Sequence, residues 1–198
     1  LLGAADVALI QSVIEGLPAG DDVATSLARR AHELDASNPA IVCALMRGLA
    51  SRHRHADAVK VARAWGARAS SDRSAVDARL AGRVRLLAAT SLVNAEGSDA
   101  AVAIIQDGLD APDIPNDLRA DYLTTLARLH WYRRDAAAVR LAAVEAIEVS
   151  RTIGYVDGEI SARCSLSESA SLMGDLDVAL DEANEAVRLA QKRRGPGS

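Results

Sequence analysis

The sequence predicts an all-α fold, a right-handed superhelix of about five antiparallel helical hairpins, and three observations carry that prediction. The first is a trio of mostly small residues that recurs at intervals of 34, 43, 38 and 40 residues: Ala24, Ala28, Ala31; Ala58, Ala62, Trp65; Ala101, Ile105, Gly108; Val139, Ala143, Ala146; and Ala179, Ala183, Ala186. Spacing within each trio is always four then three, so each trio lies on one helix face. Periods of this length mark stacked helical hairpins. The second is that every long segment has helical periodicity, and none alternates as a half-buried strand would. The third is composition. Hydrophobic residues make up 49% of the 198 residues, but aromatics only 3%, with no Phe. Ala, Leu and Val must therefore build the core. Ala has the highest helix propensity and lets helices approach closely.

Ten helices follow in order. The first, about 4–17, and the second, about 22–35, are separated by Pro18 and Gly20, with Asp21 or Asp22 as N-cap. Asn38-Pro39 opens the third, which runs to about Arg52, with Pro at its favoured first turn. The fourth runs from about His55 to Ala69, and Ser71-Asp72 punctuates the gap to the fifth, about 74–94. Gly97 ends the fifth, and Ser98 or Asp99 caps the sixth, about 98–110. Pro112 and Pro115 close that unit. The seventh, about 116–133, meets the eighth, about 135–153, at Arg134-Asp135, and Gly154 is the expected C-cap. The ninth, about 156–173, meets the tenth, about 175–193, at Gly174-Asp175. Because a stack of hairpins grows in one direction, 1–194 reads as a single repeat domain. Gly195-Pro196-Gly197-Ser198 reads as a linker or cloning tail. The chain starts at Leu1 without an initiator Met, which suggests a segment of a longer protein. An apolar outer face on Val7, Leu9, Ile10 and Ile14 would fit further repeats upstream.

Leu166, Gly174, Ala179, Ala183 and Ala186 stand where the tetratricopeptide repeat places its first-helix Leu, its turn Gly and its three small second-helix residues. Leu45 and Leu126 occupy the matching Leu site in two other units. The chain therefore resembles a tetratricopeptide-like array over nearly its whole length. It departs from the pattern in lacking the first-helix Trp and Gly and in having Ala170 at the usual Tyr position. The run from Gly174 to Leu180, followed by Glu185 to Ala190, is similar to arrays of bacterial LuxR-type (MalT-like) signalling ATPase regulators. That resemblance implies a sensory or regulatory segment of a larger transcription regulator. The alternative is a free-standing adaptor or oligomerisation module.

Charge and motifs narrow the function further. A net charge of −4 argues against nucleic-acid binding by this segment. The basic tail Arg188, Lys192, Arg193, Arg194 is sufficiently explained by the dipole of the helix it ends. No apolar run approaches the roughly 20 residues of a membrane span. Cys43 and Cys164 fall in different hairpins, beyond disulfide reach, so two free, half-buried thiols and a reducing, cytoplasmic location are expected. The phosphate-cradling Gly-x-x-x-x-Gly-Lys-Ser/Thr, His-Glu-x-x-His, Gly-x-Ser-x-Gly and Cys-x-x-Cys motifs are all absent, so no enzyme activity and no cofactor are expected. His53, His55 and Asp57 cluster at the second hairpin turn, but two His at i,i+2 do not share a helix face, and no metal site is assigned. His130 stands at a Tyr position of the repeat and is expected to pack in the inter-helix seam.

What remains is a binding surface. The resemblance places the concave wall on first-helix residues flanking the Leu site. Transferred to this chain, these are Arg47 in the second hairpin and Arg83, Thr90 and Asn94 in the third, where Ala88 takes the Leu position. They are Asp121, Thr124, Arg128 and Trp131 in the fourth, and Glu168 and Ser171 in the fifth. Three arginines at successive levels suit carboxylates of an acidic peptide, and Trp131 suits an apolar anchor. The expected partner is a protein or peptide, or another domain of the same parent chain.

Overall fold

A computed structural model describes residues 22–69, 78–111 and 114–194, and every regular element among them is an α-helix. In chain order these are α1 (Asp22–Leu34), α2 (Pro39–Ala50), α3 (His55–Ala69), α4 (Ala78–Ala95), α5 (Ser98–Leu109), α6 (Asn116–Tyr132), α7 (Ala136–Thr152), α8 (Val156–Met173) and α9 (Leu176–Arg194). The expected first helix, about 4–17, the start of the fifth at 74–77 and the tail 195–198 lie outside the described residues. The other boundaries agree within a few residues, and α3 agrees at both ends.

The chain divides into two compact units, Leu1–Ala101 and Val102–Ser198. In the first, α1 packs on α2, α2 on α3, α3 on α4, and α2 also reaches α4. In the second, α6 packs on α7, α7 on α8, α8 on α9, and α6 also reaches α8. Each unit thus alternates first and second helices, with first helices also touching one another. This is the packing a tetratricopeptide-like repeat requires.

The trios make this possible. All of their members are buried except Ala183, which is half-buried. In the first unit Ala28, Ala58, Ala62 and Trp65 join Val42, Leu45, Met46 and Leu49 of α2 and Val84 of α4 in one core. Trp65 is the large exception, and its indole N–H donates to the Ser37 carbonyl at 3.0 Å, so its polar edge is satisfied as it is buried. In the second unit Val139, Ala143, Ala146 and Ile147 of α7 meet Leu123 and Ala127 of α6 and Ala162 and Leu166 of α8.

Local signals set the helix ends. Asn38 accepts from the backbone N–H groups of Ala40 and Ile41, at 3.0 and 3.4 Å, and Pro39 follows it. Asp135 accepts from the N–H of Ala138 at 3.1 Å. Four turns share one geometry. His53, Arg134, Gly154 and Gly174 adopt positive φ, at 58°, 57°, 68° and 82°. The next N–H in each case bonds back to the carbonyl of Leu49, His130, Ser150 or Ala170, at 2.8–3.1 Å. Such a left-handed residue reverses the chain while satisfying an orphan carbonyl at the helix C-terminus.

Candidate functional site

The first-helix face of the first unit carries Arg47 on α2 and Arg83, Thr90 and Asn94 on α4. Arg47 and Arg83 are exposed, and neither has an ion-pair partner among the described residues. Both act electrostatically on Cys43, lowering its pKa, although burial dominates there and pushes the thiol up to about 11. Thr90 donates to the Leu87 carbonyl at 2.9 Å, and Asn94 donates to the Thr90 carbonyl at 3.1 Å. Both side chains are therefore turned back onto their own helix.

The second unit presents Asp121, Thr124, Arg128 and Trp131 on α6 and Glu168 and Ser171 on α8, which pack together. Arg128, Glu168 and Ser171 are exposed, and Trp131 is 37% exposed. Trp131 meets Tyr132 edge-on, with ring centroids 5.4 Å apart. Thr124 is half-buried and donates to the Ala120 carbonyl at 2.9 Å. Asp121 has a structural role: it accepts from the Tyr155 hydroxyl at 3.0 Å, tying α6 to the turn before α8. Burial first, and then this carboxylate, raise the Tyr155 phenol to about 12. The group with side chains directed outward is therefore smaller than the sequence set: Arg47 and Arg83 on one unit, and Arg128, Trp131, Glu168 and Ser171 on the other.

Arg29, Arg85, Arg134 and Arg140 are likewise exposed without an ion pair among the described residues, whereas other arginines are paired. Arg30, Arg54, Arg63, Arg119, Arg151, Arg163, Arg188 and Arg193 each meet a carboxylate. The most enclosed of these pairs form a chain that sequence reasoning missed. Glu159 on α8 accepts from Arg151 of α7 at 2.8 Å and from Arg163 of its own helix at 3.0 Å. Arg163 in turn reaches Glu182 of α9. Glu159 and Arg163 are legible as an i,i+4 pair, but nothing in the sequence shows that α7 and α9 complete it.

The remaining titratable groups do not converge. Cys43 is buried and Cys164 is exposed, so neither is half-buried as expected. Burial and then the nearby Glu168 raise the Cys164 thiol, so it too stays protonated at neutral pH. Burial also holds the His130 ring below its usual range, and its Nδ1 has no hydrogen-bond partner. His32 behaves similarly, with burial the main cause and Arg68 adding to it. The His53 and His55 rings are 6.1 Å apart and edge-on, while Asp57 is held low by hydrogen bonds from Arg54 and Lys60. Among the described residues no three His, Cys, Asp or Glu are grouped to hold a metal ion. No described helix is long and apolar enough to cross a membrane.

No protein-family model matches the chain, and no curated protein matches it in sequence. Solved structures do match in fold. A crystal structure of MamA superposes with a TM-score of 0.63 at 13% identity, covering 98% of each chain. A second MamA crystal structure gives 0.59 at 14% identity, covering 94% of this chain and 95% of that one. At such identities the likeness shows the fold, an all-α helical repeat along nearly the whole chain.

Proposed function

We propose that this chain is a non-catalytic scaffold that binds a protein or peptide with acidic side chains through exposed first-helix residues. One observation carries the reading: Arg47, Arg83 and Arg128 stand exposed on first helices without ion-pair partners among the described residues. A guanidinium left open this way binds carboxylates bidentately, and the half-exposed Trp131 beside Arg128 supplies an apolar anchor. The repeat fold adds support, since stacked hairpins offer extended surfaces of this kind. In finer detail, the segment serves as the sensory or regulatory array of a larger bacterial transcription regulator in the cytoplasm, on the strength of the Gly174–Leu180 and Glu185–Ala190 sequence runs. A second reading, a free-standing adaptor or oligomerisation module, is favoured by exposed leucine and valine side chains on α9.

The test is selection of short acidic peptides from a displayed library, followed by affinity measurement on the double variant Arg128→Glu, Trp131→Ala. Affinity is expected to fall at least about tenfold with helical circular dichroism unchanged. Unchanged affinity in a folded double variant ends the proposal.

A further inference from the structure

Four hairpin turns close on the carbonyl of Leu49, His130, Ser150 or Ala170, so these residues hold one position in the repeat. Leu49, Ser150 and Ala170 are buried there, and none of them takes a charge. His130 is the ionisable member. It sits in the last turn of α6, and its carbonyl accepts from the N–H groups of Arg133 and Asp135 at 3.0 and 3.1 Å. The ring is half-buried, and its Nδ1 is enclosed without a hydrogen-bond partner. The slot offers little to any polar side chain, since the Ser150 hydroxyl in the equivalent place has no partner either.

A neutral imidazole tolerates such a slot better than an imidazolium does. Leaving a neutral ring nitrogen unpaired costs one hydrogen bond, whereas protonating it puts a second N–H donor and a positive charge into the same space. The nearby charges do not offset this. Asp135 attracts the cation, but its carboxylate already accepts from the Ala138 N–H at 3.1 Å, and Arg133 repels it. The helices packed against α6 are α7 and α8, and Arg140 and Glu168, their charges toward this end, are not among those acting on the ring. The carbonyl end of a helix favours a cation. Burial nevertheless prevails and holds the ring below its usual range.

We infer that the α6–α7 turn is an acid-sensitive latch, in which protonation of His130 expels the ring and frees the last turn of α6. The open turn takes up a proton near the ordinary histidine value of about 6.5, and the closed turn resists it. The closed turn is therefore fully stable above about pH 7 and loses stability as pH falls below that. Trp131 and Tyr132 lie in the released turn, so acid also loosens the apolar side chains at this end of α6. The latch does not rest on the peptide-binding reading, because its readout needs no ligand.

The test is amide hydrogen exchange of the whole chain, read by NMR as protection factors at about pH 7.5 and about pH 5.5. Protection at Arg133 and Asp135 is expected to fall on acidification. Gly174 and Asp175, in the equivalent turn closed on Ala170, are expected to keep theirs. His130→Ala and His130→Leu install the side chains that Ala170 and Leu49 carry at this position, and each is expected to abolish the fall. The wild-type ring protons are expected to titrate below about pH 6.5. Constant protection at Arg133 and Asp135 overturns the inference. So does an equal fall at Gly174 and Asp175, a fall that persists in a folded His130 variant, or a ring that titrates at or above about pH 6.5. Wild-type exchange and the ring titration decide the matter even where neither variant folds.

Discussion

Gly108 closes one of the recurring trios, and glycine inside a helix ordinarily costs about 1 kcal/mol relative to alanine. Here the missing side chain is occupied. A Cβ at Gly108 would collide with the Tyr122 ring at Cε2, with Cζ 2.9 Å away. Tyr122 is fully buried, so the ring has no open space to move into. Gly66 on α3 is a control, because a Cβ there would meet nothing within 4 Å. Gly108→Ala is therefore expected to lower stability by about 1–3 kcal/mol. Gly66→Ala is expected to raise it by up to about 1 kcal/mol through helix propensity. Urea titration of the two variants checks this, and equal shifts of the same sign would remove the ring from the explanation. The recurrence alone marks Gly108 as a place for a small residue. It does not reveal that the neighbour is an aromatic ring from the next hairpin, because that contact forms only when α5 and α6 are packed.

At the scale of elements, the helices were legible because several start or stop on local chemistry. Asn38-Pro39, Asp135 and Gly174 act where they stand in sequence, without help from distant residues. The turns at His53 and Arg134 were less legible, since a positive φ is expected of glycine and these side chains adopt it at some cost. Arg134 stands 40 residues before Gly174 and makes the same turn, so the repeat imposes the geometry where the residue does not favour it. The candidate face was only partly legible for a related reason. Spacing says which side of a helix a residue occupies. It does not say that Asp121 will be taken by Tyr155, or that Thr90 and Thr124 will bond to their own helices. The ion chain joining α7, α8 and α9 is likewise a product of packing. Removing its central member takes away the cation that Glu159 and Glu182 share, at side chains only 11% and 22% exposed. Arg163→Met is thus expected to cost about 3 kcal/mol, near the lower end for breaking an enclosed pair because Arg151 still meets Glu159. Adding Glu159→Gln should recover part of the loss. Denaturant unfolding of the single and double variants checks both, and a neutral Arg163→Met would reduce the chain to a surface feature.

For the whole molecule, what decides a residue's worth is how many neighbours its helix has. Stacked hairpins contact only the elements next to them, so stability is close to a sum of nearest-neighbour terms. Ile147 and Val187 occupy one register position on α7 and α9, and the sequence gives no reason to rank them. Yet α7 lies between α6 and α8, while α9 has α8 on one side only among the described residues. Ile147 is buried and Val187 is 55% exposed. Ile147→Ala should therefore cost about 2–5 kcal/mol, through lost transfer energy and the cavity left behind. Val187→Ala should stay within about 0.5 kcal/mol. Urea midpoints of both variants provide the measurement. A Val187→Ala cost that matches Ile147→Ala would mean that α9 is covered on both sides in solution.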